Sequence, residues 1–193
     1  MARMTGVKEK VHSPIYDAFV LKDDSENFKD KMTDPRMIRF FVDVQEKTRL
    51  ETNLQASGVL PSKNTFEARA MRVVFSNPPP VLEHPDDSVD FMQGVIFRTV
   101  TTLLVGEKEA ISTPTYMLPG GSGLSGSNDN VVNHGDPDPA ATFRFADPVF
   151  IEPQQNFRVE MSFPQDVPDE VADKFGPRRI WVVLDGYLTR DVQ

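Results

Sequence analysis

Apolar and polar side chains alternate through FRVEMSF, residues 157–163: Phe157, Val159, Met161 and Phe163 fall on one side, Arg158, Glu160 and Ser162 on the other. A period of two puts successive side chains on opposite faces of an extended chain, so the segment reads as a strand with one buried and one wet face. Runs rich in β-branched and aromatic residues at 38–44, 66–75, 95–105, 109–118, 142–151 and 179–188 read as further strands. Turn-forming stretches separate them, among them ASGVLPSKN, the proline-dense NPPPVLEHPDD, and a long glycine- and aspartate-rich loop over 119–139. Two short helices fit. Over 25–32 Ser25 serves as N-cap and Pro35 blocks continuation, and in PDEVADKFG Pro168 takes a first-turn position with Gly176 past the end.

Seven or eight strands with no amphipathic helix long enough for a crossover argue against a parallel α/β fold. The expected class is all-β: an antiparallel β-sandwich, with the jelly roll as its eight-stranded form. Residues 1–36 stand apart, because short apolar groups there (Ile15, Tyr16, Phe19, Val20, Leu21) are broken by charged runs such as KDDSENFKDK. They are expected to form an extended N-terminal arm, and residues 37–193 one sandwich domain. Trp181, within the apolar run IWVVL, is expected in the core.

Charge narrows the partners. Residues 1–36 carry seven basic and seven acidic side chains, so the net charge of −8 lies wholly in 37–193. No polybasic arm exists to neutralise phosphates, and strong nucleic-acid binding is not expected. The chain has no cysteine, which removes disulfides, thiolate metal sites and cysteine nucleophiles. The start, MARMTGVKEK, is not followed by the apolar stretch of a signal peptide, and no transmembrane segment is expected.

The most suggestive letters are LPGGSGLSGS, with a G-x-G-x-x-G at Gly121, Gly123 and Gly126. A dinucleotide fingerprint needs a helix after its glycines, and SNDNVVNHGDPDP supplies only turn formers. As a P-loop it lacks its lysine, with Ser127 in that place; as a nucleophile elbow it has Leu124 where glycine is required. Asp129, Asp136 and Asp138 offer oxygen ligands for calcium without the EF-hand spacing. The three histidines, His12, His84 and His134, fall on no expected strand, which disfavours a cupin-like metal enzyme. No catalytic residue and no cofactor are assigned.

The segments RFFVDVQEKTRLETNL, FEARAMRVVF, YMLPGGSGLSG, FIEPQQNFRVEMSFP and RRIWVVLDGYLTRDVQ together resemble the coat proteins of tailless icosahedral bacterial viruses built from single jelly rolls. The resemblance covers residues 37–193. It implies a non-enzymatic capsid subunit located in the virion, partnered by other copies of itself and by other capsid proteins, with peripheral contact to an internal membrane open. Its assembly contacts would come from Ile15, Tyr16, Phe19 and Val20 of the arm and Gly121, Gly123 and Leu124 of the long loop. The alternative is a β-sandwich binding module for carbohydrate or a receptor, spike-like, which calls for exposed aromatic rings.

Overall fold

The computed structural model describes residues 7–22, 27–32, 34, 36–76, 85–118, 142–173 and 178–191. The alternating segment is strand β8 (Phe157–Ser162), and Phe157, Val159 and Met161 are fully buried while the residues between them are partly exposed. The other strands are β1 (Lys8–His12), β2 (Ile15–Leu21), β3 (Met37–Phe40), β4 (Thr65–Ser76), β5 (Val100–Val105), β6 (Lys108–Pro114), β7 (Phe143–Ile151) and β9 (Arg178–Asp191). Helices α1 (Phe28–Lys31), α2 (Pro85–Ile96) and α3 (Asp169–Ala172) connect them, with a 3-10 turn at Thr115–Met117.

All pairings are antiparallel and form two sheets. One runs β9-β4-β7, with β1 and β2 lying end to end along the free side of β9; the other runs β3-β8-β5-β6. The inward residues of both sheets form one apolar core, in which Ile180, Val182 and Leu184 of β9 and Phe66, Met71 and Val73 of β4 meet Ile38, Phe40, Leu103, Val159 and Met161. The chain is thus an antiparallel β-sandwich, as its patterning indicates. At one end Phe28 is completely buried, with the rings of Phe19, Phe91 and Phe163 at 5.4, 5.2 and 6.2 Å in edge-on contact. Aromatic packing there ties together α1, β2, α2 and the residue that follows β8.

Three features differ from the expectation. Much of the segment set apart as an arm belongs to the sandwich: β2 pairs with β9 from Ile15↔Leu184 to Leu21↔Arg178, and β1 continues the edge from Lys8↔Asp191 to His12↔Tyr187. The pairing places Ile15 and Val20 inside the protein's own core, with Tyr16 and Phe19 half-buried. The run at 95–105 is divided, since α2 ends within it at Ile96 and β5 starts at Val100. Helix wins there because Phe91, Met92 and Val95 face the core together at helical spacing, and the Thr99 hydroxyl caps the end by donating to the Val95 carbonyl at 2.6 Å. Trp181 occupies the outer face of β9, half-buried, where its indole N–H donates to the Leu50 carbonyl at 3.0 Å.

Candidate functional site

The first strand of the second sheet stops abruptly. Phe41, completely buried against Phe157, has φ of 68°, a left-handed conformation uncommon for a bulky residue, and it turns the chain out of β3. Gly58 holds that turn: its N–H donates to the Phe41 carbonyl at 2.6 Å, and its carbonyl accepts the Phe157 N–H at 2.8 Å. Only glycine suits position 58, where φ is +62° and a Cβ would stand 2.9 Å from the Phe157 carbonyl oxygen. Between the stitched segments lies an open groove of about 320 Å³ lined by Arg39, Val42, Ser57, Gly58, Asn156 and Arg158. Both arginines approach one oxygen, Oε1 of Glu160, with Nε of Arg158 at 2.7 Å and Nε of Arg39 at 3.5 Å.

Asp17 fixes the same turn from beneath. Its fully buried carboxylate accepts the Phe41 N–H at 2.6 Å and is gripped through both oxygens by Lys47 Nζ at 3.0 and 2.9 Å. Burial pushes this carboxyl above its ordinary value, against the opposing pull of Lys47, the Phe41 N–H and Thr52. All of these contacts bind β2 to the chain that leaves β3, so the group acts as a structural clamp.

A second surface lies where α2 and the 3-10 turn meet. The turn is pinned from inside: Thr115 N–H donates to the Thr99 carbonyl at 3.0 Å, and the Thr115 hydroxyl sits 2.6 Å from that of Thr99 and 2.7 Å from that of Thr101. On this rigid base three large apolar side chains face water, Phe97 at 67%, Tyr116 at 54% and Met117 at 44% exposure. The Phe97 and Tyr116 rings stack with centroids 6.2 Å apart at 23°. Phe150, on the edge strand β7, is a further exposed ring.

Comparison with protein-family models, with characterised proteins and with solved structures found no match.

Of the assembly contacts expected from sequence, Ile15, Tyr16, Phe19 and Val20 come together on β2, beside β9, while Gly121, Gly123 and Leu124 lie outside the described residues. The calcium candidates Asp129, Asp136 and Asp138 also lie outside them, as do His84 and His134. Among the described residues no three His, Asp or Glu side chains gather around a point where a metal would sit. No described helix is long and apolar enough to cross a membrane. His12, in β1, packs its ring against Tyr187 at 5.7 Å. Sequence reading missed the groove and the exposed rings. Arg39 and Arg158 are 119 positions apart along the chain and meet only through the β3-β8 register, in which Arg39 pairs with Glu160.

Proposed function

We propose that the chain is a structural subunit of an icosahedral viral shell, folded as a jelly roll, whose scaffold is the sandwich and whose contacts with neighbouring copies come from loops and exposed apolar side chains. The observation that carries this reading is the nesting of the strand pairs. β5 pairs with β6, β4 with β7, β3 with β8 and β2 with β9, the pattern of one long antiparallel hairpin rolled into two sheets. Such nesting, with successive pairs alternating between the two sheets, supports reading the sandwich as a double Greek key. Shell subunits of this architecture need a rigid body with surfaces that self-complement, and Phe97, Tyr116, Met117 and Phe150 supply exposed apolar area on fixed elements.

Sedimentation velocity over a range of protein and salt concentrations tests the proposal. Large, discrete species growing with concentration are expected, and a single monomer boundary under all conditions would overturn it. A second reading, a carbohydrate-binding sandwich, draws on the exposed Phe97–Tyr116 pair, since sugar faces stack on such rings. Glycan-array binding that disappears in Tyr116→Ala would favour it, and an empty array would remove it.

A further inference from the structure

The geometry points to the Arg39–Arg158 groove as a binding site for a carboxylate group carried on a short stem, the chemistry of an Asp or Glu side chain or of a small aliphatic acid. Two guanidinium groups face one acid there. Among the described residues Glu160 is the ionic partner of both, and it meets each through Nε, so one positive charge stays uncompensated. Arg39, Arg158 and Glu160 together carry +1, which matches a monoanion; a doubly charged phosphate would leave excess negative charge beside Glu160.

Shape and polarity agree with that choice. Guanidinium forks hold carboxylates in their own plane by paired N–H···O bonds. The groove's volume of about 320 Å³ is at the lower end for small-ligand sites. Val42, with 40% of its surface exposed, gives an apolar wall for a methylene stem, and Asn156 and Ser57 add neutral polar residues to the lining. The site is also preorganised. The Gly58 hydrogen bonds to Phe41 and Phe157, the Gly106 N–H donating to the Asn156 carbonyl at 2.7 Å, and the Asp17 clamp hold the backbone on both sides of it before any ligand arrives. Arg158 is only 27% exposed and Arg39 40%, so the pair is partly desolvated, which strengthens its interaction with an incoming anion.

Propionate, which reproduces a glutamate side chain, is the probe. Titrated into the intact protein and followed by amide chemical shifts, it is expected to give saturable changes centred on Gly58, Asn156 and Arg158, with propionamide and inorganic phosphate giving none. Arg158→Gln and Arg39→Gln are each expected to weaken propionate binding by about tenfold or more, the effect of losing a charge-assisted hydrogen bond, and Arg39→Lys by less. Unchanged far-UV circular dichroism checks that each variant is folded. An absence of saturable shifts in the folded wild type, equal response to propionamide, or undiminished binding in both glutamine variants would overturn the assignment. Sedimentation with and without propionate separates the sources of the group. Association reversed by the acid identifies an acidic side chain of a second copy, and binding with no effect on association identifies a free acid. The site does not depend on the shell reading, because a strictly monomeric protein that binds propionate at these residues would refute the shell and retain the site.

Discussion

Replacing Asp17 with alanine tests whether the N-terminal strand is an integral part of the sandwich. The substitution removes the acceptor of the Phe41 N–H and both contacts to Lys47 from a fully buried position. Stranding a buried backbone donor costs about 1–3 kcal/mol, and removing one partner of a buried ion pair about 3–5 kcal/mol. The Lys47 side chain retains 17% exposure and can swing toward water, which relieves part of the second term. A net loss of about 3 kcal/mol is expected, equivalent to a fall of about 1 M or more in the urea midpoint at an unchanged slope. Asp17→Asn keeps an oxygen for the Phe41 N–H and should lose about 1–2 kcal/mol. Equilibrium urea unfolding followed by Trp181 fluorescence reads both, and a double-mutant cycle with Lys47→Ala should give a coupling of about 1–2 kcal/mol. A loss below about 0.5 kcal/mol in Asp17→Ala, or additivity with Lys47→Ala, would refute the clamp and return residues 15–21 to the status of a loosely held arm.

Gly186, opposite Ala68 at the β4 irregularity, has no room for a side chain, because a Cβ there would overlap the Glu67 carbonyl oxygen. Gly186→Ala should therefore destabilise by about 1–3 kcal/mol in the same assay, and a neutral result would mean that β4 and β9 are not so closely apposed. Acid stability should depend on Glu67. Its hydrogen bond from Lys10 comes first in holding the carboxyl below its ordinary value of 4.5, burial opposing and Arg69 adding to the depression. A depressed folded value contributes stability above 4.5 that is lost as pH falls through that folded value, so Glu67→Gln should flatten the drop in Tm on acidification. Asp17, whose carboxyl is raised, works in the opposite direction, its contribution being lost as pH rises through the raised value, and Asp17→Asn should remove that component from the pH profile. Phe97→Ser combined with Tyr116→Ser should change monomer stability by less than about 0.5 kcal/mol, yet should weaken self-association in sedimentation; unaltered association would exclude this patch from the contact.

Strands buried on one face and wet on the other were the most legible part of the sequence. FRVEMSF keeps strict alternation, and the β4 and β9 runs are apolar enough to need little context. The least legible strands are edge pieces. β1, KEKVH, is mostly charged, as exposed sheet edges often are, so it does not stand out as apolar. β2 is interrupted by Asp17, whose burial makes sense only once Lys47 and the Phe41 N–H are brought beside it. The α2 segment begins with Pro85, followed by Asp86 and Asp87, a helix-start signal, but the prolines at 78–80 give the preceding stretch the pattern of a loop and mask it. Glycine and histidine motifs are conspicuous because they are local in sequence. The arginine groove depends on strand register and on a left-handed turn at Phe41, neither of which a local pattern encodes.

Electron microscopy of the purified protein at assembly-promoting concentration tests the shell proposal most directly. The nested strand pairing and the exposed apolar side chains lead to the expectation of closed, symmetric particles in which this chain occupies repeated positions. Fields containing only dispersed monomers, with the protein folded by circular dichroism, would contradict it.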